Sequence, residues 1–140
     1  MAVQGAKVAL FDVNEEALQA TAEQFKQKEF DCMTRVADVT SSEEVEKAVK
    51  EVYEHYSAID ILVNNAADGD MDGIDTIESI TQNVIDDTFA VNVRGSILMI
   101  RELINHHGNY GRIINLSTDA AQVFAGQITY GASKATIEAL

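Results

Sequence analysis

Residues 59–66 read IDILVNNA, an aliphatic run that ends in two asparagines. A continuous apolar run of this length, closed by polar residues, is typical of a strand buried on both faces. Comparable runs occupy residues 7–11 (KVALF), 31–36 and 112–116 (RIINL). The sequence therefore predicts four strands, and residues 59–63 form the clearest of them.

Longer stretches with helical periodicity separate these strands. They cover residues 17–25, 45–56, 84–105 and 129–140. Thr40 and Glu43 form a capping-box pattern ahead of the second helix. The third is apolar almost all round between Ile97 and Ile104, which predicts a well-buried helix, and the last is expected to run on to Leu140. This alternation predicts an α/β fold, with a parallel sheet that carries helices on both faces.

The composition fits a single domain over residues 1–140. The chain is 46% hydrophobic and 24% charged, with a formal net charge of −13. Such an acidic surface repels phosphate backbones and anionic headgroups, so neither nucleic acid nor membrane is an expected partner. Cys32 is the only cysteine, which excludes an internal disulfide and favours a reducing compartment. No signal-peptide or membrane-spanning pattern is present, so we expect a cytoplasmic protein.

Polar residues follow the predicted strands, at the edge where parallel sheets bind ligands. Asp12 closes the first strand; its carboxylate could accept both hydroxyls of an adenosine ribose and would repel a 2′-phosphate, which favours NAD over NADP. Alternatively, Asp12 caps the next helix together with Glu15. Asp38 and Val39 follow the second strand.

The third predicted strand ends in residues 64–67, NNAA. Side-chain amides and small residues at this position let a cofactor approach the backbone closely. The paired asparagines could equally serve only to hydrogen-bond a turn.

A hydroxyl and a phenol–ammonium pair follow the fourth strand. Tyr130 and Lys134 are four residues apart, which places them on one face of a helix. An ammonium beside a phenol lowers its pKa from about 10, so that Tyr130 could act as a general acid or base. Ser117 could donate a hydrogen bond to a carbonyl or alkoxide oxygen.

These residues occur in an order that resembles the short-chain dehydrogenase/reductase family over essentially all 140 residues. The chain is similar to the type that includes 3-oxoacyl-carrier-protein reductases and sugar or alcohol dehydrogenases. The matching phrases are GAKVALFD, ADVT, IDILVNNA, NVRGSI, GRIINLS and YGASKA.

The resemblance implies hydride transfer between a nicotinamide and a carbonyl or secondary alcohol. It makes Tyr130 the proton donor or acceptor, with Lys134 binding the nicotinamide ribose. It has Ser117 orient the substrate oxygen and Asn92 position a water that relays protons. The residues implied to hold the adenosine half are Asp12, Asp38, Val39 and Asn65. Family members are commonly tetramers, so a homo-oligomer is expected.

The chain departs from the family at both ends. It lacks the Gly-rich turn that holds the pyrophosphate, and it stops before the last strands; Ala67 stands where the family usually has glycine. The resemblance therefore implies one partial dinucleotide-binding domain, an incomplete Rossmann-type parallel sheet without its central first strand. We expect the sheet either to close over that gap or to recruit a strand from another copy. Because the pyrophosphate-holding turn is missing, we expect the chain by itself to bind the cofactor weakly and to have poor activity.

Two other interpretations compete with the dehydrogenase. Residues 68–73, DGDMDG, resemble the start of a calcium-binding EF-hand loop, but Ser79 stands where the loop needs a glutamate. His55, His106 and His107 show no metal-ligand spacing with Cys32, so no metal site is expected. The alternative function is an inactive fragment that acts only in assembly or binding.

Overall fold

The computed structural model describes residues 1–68, 76–106, 110–119 and 126–140. The strands in this part of the chain are β1 (Val8–Asp12), β2 (Cys32–Val36), β3 (Ile61–Asn64) and β4 (Arg112–Asn115). The helices are α1 (Glu15–Gln27), α2 (Ser42–Tyr56), α3 (Gln82–Phe89), α4 (Ser96–His106) and α5 (Ile128–Glu138), with a π-helical segment (Ala90–Gly95) between α3 and α4. A short 3₁₀ turn (Ala2–Gln4) precedes β1. The predicted α/β alternation is confirmed.

The strands pair in parallel as two separate two-stranded sheets. β1 pairs with β2, placing Asp12 opposite Val36, and β3 pairs with β4, placing Asn64 opposite Asn115. The described residues show no pairing between β1 and β3. The expectation that the sheet closes over its gap is therefore wrong, and recruitment of a strand from another copy stays a prediction.

The third strand is buried on one face, not on both as the sequence predicts. Leu62 and Asn64 are buried, whereas Ile61 and Val63 are 44% and 39% exposed. Side chains alternate between the two faces of a strand, and α4 packs against β3, so the residues of one set are covered and those of the other are not. An apolar run by itself does not show which of its faces a helix will cover.

The hydrophobic core lies largely between α2 and its neighbours. The apolar stripe predicted for residues 45–56 is confirmed for four buried side chains, Val45, Ala48, Val49 and Val52, whereas Tyr53 at its far end is 40% exposed. Helix α2 packs against α4, which contributes the buried Leu103. Ile97 and Ile104 of α4 are 45% and 60% exposed, so the prediction that this stretch is buried all round is wrong.

The long helix predicted over residues 84–105 is interrupted by the π-helical segment. Short π-helical insertions are uncommon and occur frequently at functional sites. Asn92 lies in this segment and is almost fully buried. The last helix ends at Glu138 and does not run on to Leu140 as predicted. No helix in the described ranges combines the length and apolar character that crossing a membrane requires.

Candidate active site

The predicted site residues follow the carboxyl ends of the strands or lie on α5. Asp12 is the last residue of β1, Asp38 and Val39 follow β2, and Asn65 follows β3 directly. Because β1 and β2 are parallel, and β3 and β4 likewise, the polar residues after each pair leave the same edge of their sheet. Tyr130 and Lys134 lie one turn apart on α5, as predicted.

Asp12 does not cap α1, as the alternative interpretation required. Asn14 is the N-cap, and its Oδ1 accepts a hydrogen bond from the Ala17 N–H at 2.9 Å. The Asp12 carboxylate instead accepts from the Asn14 N–H at 2.9 Å. This contact holds one carboxylate oxygen against the turn while the side chain remains exposed at the strand end.

Asp38 is held in a turn that leads into α2. Its Oδ1 accepts from the Thr40 N–H at 2.8 Å, and its own N–H donates to Glu44 Oε2 at 2.9 Å. The N-cap of α2 is Ser41, whose hydroxyl accepts from the Glu44 N–H, so the predicted capping box of Thr40 and Glu43 is wrong by one residue. Thr40 and Ser41 are adjacent residues that can both cap a helix, so the sequence pattern alone does not show which of them is the N-cap.

Gly95 lets the π-helical segment approach the loop that carries Val39. A Cβ at residue 95 would lie 2.8 Å from Val39 Cγ2 and 3.3 Å from the Val39 carbonyl oxygen, closer than real Cβ contacts allow. A glycine is therefore required at this crossing. Gly95 lies within the phrase NVRGSI, but a single glycine in a helical pattern does not indicate a close crossing of two segments.

A shallow cleft with a cavity volume of about 10 Å³ opens beside this crossing. Its lining residues are Val39, Asn64, Ala66, Val91, Gly95, Ser96 and Met99. Small-molecule pockets usually measure roughly 300–1,000 Å³, so this cleft has room for about one water molecule and does not by itself accommodate a dinucleotide. It lies between the ends of β2 and β3, where the sequence predicts adenosine-binding residues.

Lys134 is buried although it carries an ammonium group. Its Nζ donates to the Leu116 carbonyl oxygen at 2.8 Å and lies 5.6 Å from the centre of the Tyr130 ring. Burial lowers the pKa of Lys134 below its ordinary value, because desolvation disfavours the charged form. The structure thus brings Tyr130 and Lys134 together beside the residues that follow β4.

The Asn92 side chain joins three parts of the chain. Its Oδ1 accepts from the Asp68 N–H at 2.7 Å, and its Nδ2 donates to the Asp68 carbonyl at 2.9 Å and to Ser133 Oγ at 2.9 Å. The Asn92 backbone carbonyl accepts from the Ser96 hydroxyl at 2.8 Å. Asn92 therefore connects α5, the π-helical segment and the loop after β3.

Ser117 is not held beside Tyr130. Its hydroxyl donates to Glu138 Oε1 at 2.6 Å, and Glu138 lies eight residues beyond Tyr130 on α5. Eight helical residues span about 12 Å along the axis, since each adds about 1.5 Å. The structure therefore brings Asn92, Tyr130 and Lys134 into one neighbourhood and directs the Ser117 hydroxyl away from it.

Two contacts of α5 were not anticipated from the sequence. Ser133 lies inside the quoted phrase YGASKA, but nothing in the sequence distinguishes it from an ordinary small helical residue. Glu138 follows Lys134 by one turn, a spacing that indicates a shared face but not the Ser117 partner. The Asn92–Ser133 and Ser117–Glu138 contacts each join residues that are distant in the chain, so no local sequence pattern indicates them.

The competing calcium loop falls largely on residues outside the described ranges, which include Asp70, Asp72 and Gly73. Asp68 lies within them, and its backbone is bound by Asn92. Across the described ranges, no group of three or more His, Cys, Asp or Glu side chains is arranged to hold a metal ion.

Known proteins match this architecture along the whole chain. The sequence profile of the family described as short chain dehydrogenase matches residues 1–140. Sorbitol dehydrogenase from Cereibacter sphaeroides is 34% identical over 141 residues, which cover 98% of this chain and 53% of that protein. The chain thus spans about half the length of the curated relatives that it matches.

Solved structures agree with the sequence matches. A dehydrogenase/reductase from Sinorhizobium meliloti superposes with a TM-score of 0.90 at 33% identity, covering 99% of this chain and 55% of that one. An NAD⁺-bound xylitol dehydrogenase superposes with a TM-score of 0.91 at 28% identity, covering 98% of this chain and 54% of that one. The two two-stranded sheets therefore correspond to part of a larger known fold.

Proposed function

Because this chain belongs to the short-chain dehydrogenase family, we propose that it is an oxidoreductase that interconverts a secondary alcohol and a carbonyl compound with NAD(H). The observation that carries the proposal is the placement of Lys134, a buried ammonium held beside the Tyr130 ring. A buried ammonium costs stability unless it is paired, so a fold that keeps one next to a phenol points to proton transfer. The names of two relatives, sorbitol dehydrogenase and xylitol dehydrogenase, agree with an alcohol substrate.

The chain's own residues supply the proton chemistry. Tyr130 gives its phenolic proton to the oxygen of a carbonyl substrate, or takes one from an alcohol. The ammonium of Lys134 stabilises the phenolate that results, because opposite charges attract strongly away from bulk water. The Asn92 side chain holds the backbone of Asp68 in place. We assign to Asn92 a second role, which is to position a water that relays protons near the π-helical segment.

We assign to the Ser117 hydroxyl a hydrogen bond to the substrate oxygen. This bond requires the hydroxyl to change its partner. Its hydroxyl now donates to Glu138, so it must leave that carboxylate before it can reach an oxygen beside Tyr130. An exposed partner such as Glu138 makes this exchange inexpensive, since water can replace either group. The proposal therefore assigns Ser117 a role that depends on substrate arrival.

The described residues fit the two ends of a nicotinamide dinucleotide. At the adenosine end, the exposed Asp12 carboxylate lies at the end of β1, and Val39 lines a shallow cleft beside the end of β3. Asp38 follows β2 and Asn65 follows β3, and these two residues complete the adenosine end. At the other end, Lys134 would hold the nicotinamide ribose. The cofactor supplies or accepts the hydride.

The preference for NAD rests on Asp12, whose negative charge would repel a 2′-phosphate. The NAD⁺-bound state of the xylitol dehydrogenase relative agrees with it. The sequence contains no match to the Gly-rich TGxxxGxG motif that holds the pyrophosphate, so we expect binding to be weaker than in a complete dinucleotide site. A small carbonyl or alcohol substrate, a homo-oligomeric assembly and a cytoplasmic location complete the proposal.

The proposal is tested by following NADH oxidation in the presence of small ketones with wild type and Tyr130→Phe. We expect slow turnover by wild type and a loss of at least about 100-fold in the variant, because general acid catalysis contributes about 10²–10⁴-fold. Equal rates in the two proteins would refute the role of Tyr130. A wild-type chain that binds NADH but reduces no ketone would refute the activity.

A further inference from the structure

We propose that Ser133 is a positioning residue, which fixes the rotation of α5 by bonding Asn92 and thereby sets where Tyr130 and Lys134 point. The inference rests on the proposed roles of Tyr130 and Lys134. It adds to them a residue that touches neither substrate nor cofactor.

Ser133 is fully buried and uses its hydroxyl in two directions. Its relative exposure is 0%, and its Oγ donates to the Tyr130 carbonyl oxygen at 2.7 Å while accepting from Asn92 Nδ2 at 2.9 Å. The first bond lies within α5 and the second joins α5 to the π-helical segment. A hydroxyl that both donates and accepts in this way can be replaced by few other side chains.

Asn92 is anchored as firmly on its other side. It is 1% exposed, and its side-chain amide holds both the N–H and the carbonyl of Asp68. Both amide protons and the amide oxygen are therefore engaged. This chain of bonds runs from the loop after β3, through the π-helical segment, to the backbone of Tyr130.

The Ser133 bond restrains rotation about the axis of α5. Successive helical residues are about 100° apart, so Lys134 projects about 100° to one side of Ser133. Tyr130, three residues earlier, projects about 60° to the same side. Fixing Ser133 against Asn92 therefore fixes the directions of both functional side chains, which α5 carries as a rigid unit.

Small rotations matter because proton transfer depends on placement. A displacement of about 1 Å at a reacting group can cost about 100-fold in rate. Loss of the Ser133 hydroxyl would remove the bond from α5 to the Asn92 side chain and leave packing there, while the bonds of Lys134 to Leu116 and of Ser117 to Glu138 remain. Apolar packing is less directional than a hydrogen bond and permits small rotations.

The test compares Ser133→Ala with the matched control Thr136→Ala. Thr136 also lies on α5 and also donates to a backbone carbonyl of its own helix, that of Ala132 at 3.0 Å. That bond stays within the helix, so its removal deletes a hydroxyl without cutting the link to Asn92. Ser133→Cys keeps nearly the same volume with a weaker hydrogen-bonding group and serves if Ser133→Ala does not fold.

The measurements are NMR spectra of the cofactor-free chain with labelled tyrosine and lysine side chains. The chain has 4 tyrosines, and Tyr130→Phe identifies the Tyr130 ring signal. We expect Ser133→Ala to shift or broaden that signal and to move the pKa of Lys134 back towards its ordinary value, as the ammonium gains solvent. The Thr136→Ala spectra should match wild type at both residues. Ser133→Cys should change in the same direction as Ser133→Ala, by less.

A folded Ser133→Ala or Ser133→Cys chain that keeps the wild-type Tyr130 signal and Lys134 titration would overturn the proposal, even if the variant is less stable. Equal changes in Thr136→Ala would overturn it as well, since they would show a general response of α5 to hydroxyl loss. Neither readout needs cofactor, substrate or turnover, so this inference and the proposed dehydrogenase activity can fail separately.

Discussion

The two ends of the candidate site differ in how they hold their polar groups. At the catalytic end, defined here as Asn92, Ser133 and Lys134 with the neighbouring Tyr130, the first three side chains are 4% exposed or less, and each has a hydrogen-bond partner inside the protein. At the adenosine end, defined as Asp12, Asp38, Val39 and Asn65, the polar side chains are exposed or half-buried. The carboxylates of Asp12 and Asp38 each accept a local hydrogen bond, from a backbone N–H two positions away.

The contrast indicates that the catalytic end is preorganised by the protein, whereas the adenosine end is available to recognise a ligand. Buried polar groups must be satisfied by the protein itself, so the catalytic end is already arranged before any ligand arrives. Exposed groups are satisfied by water and can exchange it for a ligand. Substitutions at the catalytic end should therefore change stability strongly, and those at the adenosine end should change mainly binding.

The largest expected effect comes from Asn92→Ala. The substitution deletes three hydrogen bonds of an almost fully buried side chain, two to the Asp68 backbone and one to Ser133 Oγ, and each such bond contributes about 0.5–1.5 kcal/mol. We expect the free energy of unfolding in urea to fall by about 3 kcal/mol or more. Asn65→Ala, at the exposed adenosine end, should change it by less than about 0.5 kcal/mol. Similar losses in the two variants would break the comparison.

Gly95→Ala should have the next largest effect, because residue 95 lies where the two ends meet. The new Cβ would press on Val39, and forced overpacking costs about 1–3 kcal/mol. Gly111→Ala is the control, since a Cβ there meets nothing within 4 Å. Urea unfolding of both variants measures the difference. If Gly95→Ala is as stable as Gly111→Ala, the close approach of the π-helical segment to Val39 is not required.

Lys134→Met should reveal the cost of burying an ammonium. Burial lowers the pKa of Lys134 in the folded chain, and below that lowered pKa both the folded and the unfolded states are protonated, so the full penalty applies. As the pH rises towards about 10.5, the folded state loses its proton first and the penalty is relieved. Wild type should therefore gain stability relative to Lys134→Met over this range. A constant difference would show that Lys134 is not desolvated.

The smallest expected change in stability comes from Tyr56→Phe. Tyr56 belongs to neither the catalytic end nor the adenosine end, so this variant serves as a reference. Burial and the hydrogen bond to Asp31, 2.9 Å long, raise the pKa of Tyr56 to about 12. Below about pH 10 both states keep the phenolic proton, and above it the unfolded state loses its proton first. Wild type should thus lose stability relative to Tyr56→Phe between about pH 10 and 12. Parallel curves for the two proteins would contradict the assignment.

The sequence predicted the elements well because their signals are local. Apolar runs and helical stripes reproduced β1, α1, β2 and α2, and the spacing of Tyr130 and Lys134 placed both on one face of α5. Burial was predicted less well, since it depends on which element covers which face. Ile61 and Ile104 are apolar yet exposed for that reason.

The site's internal contacts could not be predicted from one sequence. Asn92 and Ser133 are 41 residues apart, and no pattern along the chain signals that their side chains meet. The Ser117–Glu138 contact is equally non-local, which is why a hydroxyl expected beside Tyr130 points elsewhere. Residue types indicated the chemistry of the site, while the tertiary arrangement decides which groups carry it.

The most direct test of the account is a fluorescence titration of the purified chain with NADH, repeated with NADPH and with Asp12→Ala. We predict saturable NADH binding that is tighter than NADPH binding, with the preference reduced in Asp12→Ala because the repelling carboxylate is gone. Absence of saturable binding of either dinucleotide up to roughly millimolar concentration, which corresponds to about −4 kcal/mol, would contradict the cofactor assignment.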